Sequence, residues 1–179
     1  MTDDSEAKPY LGRLQHVRDI DRSETVEAVY GVVDGSLQIV GPGYDIPPTS
    51  EGGFLARMGL FADVVWSGGA CSYWFDRDSG KLRSLCLIDP PRLDNGAMAQ
   101  LTLLLVDRRY RRKGLGSRLL AFAISSLPSA VRRLCVASSH SKATIEFYLR
   151  HGFRLPAEPI QGMRLVDPAN DIVMVKELP

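Results

Sequence analysis

The chain has 179 residues, of which 45% are hydrophobic and 24% charged, and it carries a formal net charge of +1 at pH 7. Such a length suits one domain around one core, and these fractions are those of an ordinary globular protein, which argues against disorder. Near-neutrality removes any whole-molecule case for a nucleic acid or an anionic membrane as partner.

Residues 1–8 are acidic and polar, lack the apolar stretch of a secretory signal, and read as a disordered tail. A single domain is expected over residues 9–179. Residues 11–17 alternate loosely, as a first strand would. Residues 18–30 carry Val26, Val29 and Tyr30 at the spacing of a short helix. Asp34-Gly35 then stands between two apolar runs, a hairpin-turn signal, and the Pro- and Gly-rich residues 41–53 read as loop. Phe54, Leu55, Met58, Phe61, Ala62 and Val65 form a helical stripe ended by Gly68-Gly69.

Residues 71–75 and 81–88 are expected strands around a turn, and residues 89–96, with Pro90-Pro91, are loop. Residues 97–106 end in so continuous an apolar run that a strand buried on both faces is expected. Leu115, Leu119, Leu120, Ala123, Ile124 and Leu127 share one helical face, which Pro128 terminates. Residues 132–138 read as a strand, and residues 141–151 as a helix closed by Gly152. Phe153 begins an extension, and residues 172–176 supply a last strand. The fold class is therefore α+β (mixed α/β), an antiparallel sheet first and then strand–helix–strand–helix–strand.

Cys71, Cys86 and Cys135 are isolated and odd in number, with no CxxC or Cys/His spacing, so neither a zinc site nor a disulfide framework is expected. They read as small buried hydrophobes in a reducing compartment. The longest apolar stretches fall short of the ~18–20 residues that cross a bilayer, and a cytoplasmic location is expected.

The basic loop carries the chemistry. Arg108, Arg109, Arg111, Arg112 and Lys113 surround Tyr110, and Gly114 and Gly116 lead into the amphipathic helix. Two glycines between strand and helix allow a tight turn in which several N–H groups point one way, at the positive end of the helix dipole. That is a diphosphate cradle, to which guanidinium and ammonium groups add charge-assisted contacts. It is neither a Walker loop, since no GxxxxGK[ST] is present, nor a dinucleotide fingerprint, since the third glycine of GxGxxG is missing. The bland reading is a solvated basic turn.

The run from Leu104 to Gly116 resembles motif A of the GNAT acetyltransferase superfamily, R/Q-x-x-G-x-G/A opening a helix after an apolar strand. Arg111, Gly114 and Gly116 match its fixed positions. Downstream, Ser141 to Phe153 resembles motif B, N-x-x-A-x-x-x-Y followed by Gly-Phe. Tyr148, Gly152 and Phe153 match, whereas Ser141 stands for the usual asparagine and Thr144 for the usual alanine. The likeness covers residues 97–153 well.

The resemblance implies a bacterial N-acyltransferase on a GNAT-like fold. Its central, mostly antiparallel mixed sheet splays between the strands flanking the cofactor helix, and helices cover both faces. Residues 9–95 would form the acceptor side and 96–179 the acetyl-CoA-binding half. Acetyl-CoA would be the acyl donor, with no metal. Pantetheine would pair with backbone at Leu104, Leu105 and Val106. Arg111, Arg112, Lys113, Gly114, Leu115, Gly116 and Ser117 would hold the pyrophosphate, and Ser141 could bond pantetheine or a phosphate. The acceptor would be a primary amine of a small molecule or peptide, attacking the thioester directly. An oxyanion donor is expected near Val106, and Tyr148 would protonate the leaving thiolate.

No base is assigned. Residues 97–106 contain no carboxylate. Gln100 and Thr102 share a face and could hold a water chain, and Glu24, Glu27, Asp76 and His140 are other candidates. Trp66, Tyr73, Trp74 and Phe75 form an aromatic cluster that could line the acceptor pocket or the core. The competing readings are a CoA-binding sensor without turnover and a nucleic-acid binder, which neutral charge disfavours. The chain would be a monomer or a homodimer.

Overall fold

A computed structural model describes residues 16–48, 59–65, 67–76 and 78–179, the side chain of Phe75 excepted. The acidic tail, residues 11–15 of the strand expected over 11–17, the first half of the 54–66 helix and Trp66 lie outside the described residues, and residues 16 and 17 are in a 3-10 turn rather than a strand. Among the described residues there are seven strands: β1 Glu24–Val33, β2 Ser36–Ile46, β3 Ala70–Asp76, β4 Lys81–Ile88, β5 Met98–Val106, β6 Arg133–Ser138 and β7 Ile172–Glu177. The helices are α1 (59–65), α2 Leu115–Ser125 and α3 Lys142–Arg150. β1 and β2 make a two-stranded sheet, and the other five hydrogen-bond in the order β3-β4-β5-β6-β7. This is an α+β fold with a mixed sheet: β3 and β4 are antiparallel, β5 and β6 parallel, β6 and β7 antiparallel.

The chain forms two compact units, each assembled from separated stretches, and β5 passes from one to the other after Leu101. Unit one holds residues up to Ser23, Pro47–Pro90 and Thr102–Leu127. Its core gathers Phe61 and Val64 of α1, Leu82, Leu85 and Leu87 of β4, and Leu105 of β5. β4 is buried along seven of its eight residues, because α2 packs over β3 and β4. α2 buries Leu115, Leu119, Leu120 and Ala123, four of the six residues of the expected stripe; Ile124 is half-buried, and the helix ends at Ser125, before Leu127.

Unit two holds Glu24–Ile46, Pro91–Leu101 and Pro128–Pro179. The hairpin turns at Asp34-Gly35, both at positive φ (49° and 72°), as expected of that pair. The structure corrects two expectations here. Residues 24–30 are strand, not helix. A β-bulge between Val29 and Tyr30 breaks the two-residue alternation and leaves Val26, Val29 and Tyr30 at a helix-like spacing. β2 also runs on through Gly41, Pro42 and Gly43 to Ile46. A Cβ on Gly43 would sit 1.6 Å from the Val26 carbonyl oxygen, so this glycine permits close strand approach rather than marking a loop.

The parallel β5–β6 ladder pairs Met98–Leu101 with Arg133–Val136 and ends there, although β5 continues to Val106. Gln100 pins the segment before β7. Its side-chain nitrogen donates to the Arg164 carbonyl at 2.6 Å, and its oxygen accepts the Arg164 N–H at 2.8 Å. The Arg164 backbone thus takes one donor and one acceptor of the amide that the sequence offered for a water chain.

All three cysteines are free and buried. Burial pushes the Cys71 thiol up to about 12 and raises that of Cys86 as well, so both are unreactive thiols in the core.

Candidate active site

In unit one the chain leaves β5 through a buried charge cluster. Asp107 is fully buried, and its carboxylate accepts four hydrogen bonds. They come from the N–H of Asp21 at 3.1 Å and from the N–H, Nε and Nη2 of Arg109, each at 3.0 Å. It thereby caps the short 3-10 turn Arg108–Tyr110. Its own N–H donates to the Arg83 carbonyl at 2.8 Å.

Arg83, only 4% exposed, places Nη1 3.6 Å from Asp107. Its Nη2 donates to Asp76 at 3.2 Å and to Ser79 at 2.8 Å. The Tyr110 hydroxyl donates to the same Asp76 oxygen at 3.2 Å. The Tyr110 ring, edge-on to Trp74, lies 5.1 Å from the Arg83 guanidinium and 5.4 Å from Lys113 Nζ.

Three carboxyls here are held below their ordinary value. For Asp107, burial pushes upward, but the Arg109 side chain and the backbone N–H groups of Asp21 and Arg109 outweigh it. Asp76 is lowered first by the Ser79 hydroxyl, and Asp21 by the Ser23 hydroxyl.

The loop itself starts at Arg111, whose side chain faces inward. Its Nε donates to the Val106 carbonyl at 3.0 Å and its Nη2 to the Arg22 carbonyl at 3.1 Å. Arg111 therefore braces the turn. Arg112 (φ 59°) and Gly114 (φ 77°) are both left-handed, whereas Arg111 is extended. Gly114 then starts α2, whose first intrahelical bond runs from the Arg118 N–H to the Gly114 carbonyl. The N–H groups of Leu115, Gly116 and Ser117 precede that bond, at the positive end of the helix. The side chains of Arg112 and Lys113 are exposed. Leu104 and Val106 are half-buried, Leu105 is buried, and the Thr102 hydroxyl is buried without a hydrogen-bond partner among the described residues.

In unit two, Tyr148 sits on the buried face of α3, 5% exposed, with its ring edge-to-face against Phe147 (5.3 Å) and Phe153 (5.1 Å). Gly152 closes α3 at φ 85°, as the sequence expects. Ser141 caps the start of α3. It is 1% exposed and its hydroxyl donates to Thr144 Oγ1 at 2.8 Å, so the two departures from motif B are bonded to each other.

Of the base candidates, Glu27 pairs with Lys142 at 3.3 Å on the surface, and Asp76 belongs to the Arg83 cluster. His140 lines a groove of about 640 Å³ formed by the hairpin, residues 155–159 and the start of β7. Of the aromatic cluster, Tyr73 packs on the unit-one core and Trp74 on Tyr110, while Trp66 and the Phe75 side chain lie outside the described residues. Neither the Asp107 cluster nor the groove was visible in advance, because each joins residues far apart in sequence. Among the described residues, no group of three or more His, Cys, Asp or Glu could hold a metal, and no helix is long and apolar enough to cross a membrane.

Residues 47–153, more than half of the chain, match the model of the acetyltransferase (GNAT) family. The chain belongs to that family. The GNAT chain is similar across 94% of both chains to the crystal structure of nourseothricin acetyltransferase, with a TM-score of 0.66 and 16% identity. It is also similar to the PaiA N-acetyltransferase of Thermoplasma acidophilum solved in complex with coenzyme A. There the TM-score is 0.54 and the identity 16%, over 73% of this chain and 80% of that one. An acetyltransferase from Thermus thermophilus gives 0.54 and 18%, over 74% and 78%. At these identities the likeness is one of fold. A search of curated protein sequences finds no match.

Proposed function

We propose that this GNAT enzyme transfers an acetyl group from acetyl-CoA to a primary amine by direct attack on the thioester. The supporting observation is the left-handed pair Arg112 and Gly114 at the start of α2. A non-glycine residue held at φ 59° is strained, and strain of this kind collects at binding sites. Here it aims N–H groups at a diphosphate-sized anion, with Arg112 and Lys113 supplying positive charge. Arg111 contributes by fixing the turn.

The chemistry follows from where charge develops. The neutral amine attacks the thioester carbonyl, and a backbone N–H near Val106 meets the oxyanion. The C–S bond then breaks, and Tyr148 donates its proton to the departing thiolate. The aromatic packing around Tyr148 fixes its ring direction, which this role requires. Leu104, Leu105 and Val106 offer backbone groups to pantetheine.

The test is calorimetric titration with acetyl-CoA, followed by free-thiol release against a panel of amines, with Tyr148→Phe beside the wild type. Binding and turnover are expected, with turnover reduced about 10²–10⁴-fold in the variant, the range of general acid catalysis. Absence of acetyl-CoA binding refutes the proposal. Binding without turnover across the panel favours a CoA sensor, a reading supported by the absence of a carboxylate on β5.

A further inference from the structure

We infer that the groove of unit two binds the acceptor amine and that His140 Nε2 takes the proton from its ammonium group, a step that rests on the acetyltransferase reading above. His140 is positioned by both sides of the groove. Its carbonyl accepts the Tyr30 N–H of β1 at 2.9 Å, which fixes the backbone against the hairpin. Its Nδ1 lies 3.2 Å from the Asn170 carbonyl oxygen, a group that can only accept. That contact places the imidazole N–H on Nδ1 and leaves the lone pair on Nε2, the tautomer a general base needs. Nε2 is 3.5 Å from the Tyr44 hydroxyl of β2, at the outer limit of hydrogen bonding, and the two rings meet edge to face with centroids 5.9 Å apart.

The walls indicate the class of amine. Val40, Leu155, Pro159 and Ile172 give an apolar surface, and Tyr30 adds an aromatic one. Two carboxylates line the groove, Glu158 and Asp171. Oδ2 of Asp171 already accepts the N–H groups of Val166 and Asp167, at 2.8 and 2.9 Å. Lys142, next to His140 at the start of α3, is paired with Glu27 of β1. A polycation entering here would leave charges unmatched against apolar walls. A monoamine on an apolar or aromatic body buries that body and presents one ammonium group.

The proton count closes. An alkylammonium with a pKa near 10.4 is neutral in only about one molecule in 2,500 at pH 7, so attack needs a proton acceptor. His140 Nε2 takes one proton and becomes imidazolium, and the freed nitrogen pair forms the C–N bond. The C–S bond breaks, the thiolate takes a proton from Tyr148, and the tetrahedral nitrogen gives its second proton back to the tyrosinate. The imidazolium returns its proton to solvent.

The experiment compares wild type with His140→Gln, using 2-phenylethylamine and spermidine as acceptors, from pH 7 to 10. With 2-phenylethylamine, kcat/KM should fall about 10²–10⁴-fold at pH 7 in the variant. The loss should shrink steeply toward pH 10, where about three in ten amine molecules arrive neutral. The phenols of Tyr30 and Tyr44 also face this region. They are common to both proteins, as are Glu158 and Asp171, so the ratio isolates His140.

A loss of the same size at every pH marks a structural role and overturns the inference, and so does no loss at all. Spermidine turning over faster than 2-phenylethylamine overturns the assigned amine class. Val40→Trp, at a position 54% exposed, fills the groove without touching the core. It should raise the KM for the amine about tenfold or more and leave acetyl-CoA affinity alone, and an unchanged KM refutes the groove as acceptor site even if His140→Gln does not fold. Failure of the wild type to bind acetyl-CoA removes the acetyltransferase reading and this inference with it. Turnover with a pH-independent ratio removes the inference alone.

Discussion

Replacing Asp107 by alanine tests how the loop proposed to bind acetyl-CoA is held. The buried carboxylate does three separable things. It caps the turn Arg108–Tyr110, a role for which truncation to alanine costs about 1 kcal/mol. It accepts the Asp21 N–H, a bond whose loss costs about 1 kcal/mol. It also faces the guanidinium of Arg83, which is 4% exposed, and removing one partner of a buried pair costs about 3–5 kcal/mol. These overlap, and Arg83 keeps Asp76 as a second carboxylate, so the lower part of that last range, about 3–4 kcal/mol, is expected for the whole substitution. Arg109 adds little, being largely solvent-screened. For a chain of this length each kcal/mol lowers the melting temperature by about 2–4 °C, so a fall of about 6–16 °C is expected. Urea and thermal unfolding followed by circular dichroism, with acetyl-CoA titration alongside, measures it. Asp107→Asn keeps an acceptor in place and should lose less. A loss below about 1 kcal/mol in the alanine variant would refute the claim that this cluster supports the loop.

Two further outcomes follow from the same region. Asp21, Asp76 and Asp107 hold their protons less readily folded than unfolded, so their stabilisation is complete above the ordinary carboxyl value of 3.8 and is lost as pH falls through their lower folded values. The urea midpoint should fall as the pH drops below about 4, the ordinary carboxyl value, and a flat midpoint there contradicts the assignment. Gly114→Ala meets no atom within 4 Å of its new Cβ, so its cost is that of a left-handed backbone alone, about 1–2 kcal/mol. The loop should relax and acetyl-CoA affinity drop, whereas Gly59→Ala in α1, equally free of contacts, should leave affinity unchanged in the same titration.

The second half of the chain was legible because its signals are local. The face of α2 repeats every three to four residues, β5 ends in a continuous apolar run, and Gly152 closes α3 within one turn of the residues it caps. The first half was misread where a long-range constraint reversed a local signal. The bulge at Val29 and Tyr30 gave a strand the spacing of a helix. Gly43 looked like punctuation because its reason, the carbonyl of Val26, lies on the other strand of the hairpin. Gln100 seemed available for chemistry because Arg164, whose backbone takes one donor and one acceptor of its amide, is 64 residues away. His140 was one candidate among several for the same reason: its tautomer is set by Asn170, 30 residues downstream.

The departures from the family pattern read differently once the side chains are placed. Taken singly, serine for asparagine at 141 and threonine for alanine at 144 each look like the loss of a function. Together they make one interaction, the Ser141 hydroxyl donating to Thr144, while the Ser141 carbonyl accepts the N–H groups of Thr144 and Ile145 at 3.0 Å. The first turn of α3 is thereby closed by its own residues, and a side chain that is 1% exposed and already engaged has no hydroxyl proton to spare for a ligand. Arg111 follows the same logic. Its guanidinium satisfies the carbonyls of Val106 and Arg22. In the proposed function, recognition of the diphosphate then rests on the N–H groups ahead of Arg118 and on the exposed cations of Arg112 and Lys113. An Arg111→Lys variant separates the two roles. Lysine keeps the charge but cannot bridge two carbonyls with a planar fork, so acetyl-CoA affinity should fall nearly as far as in an alanine variant if bracing is what matters.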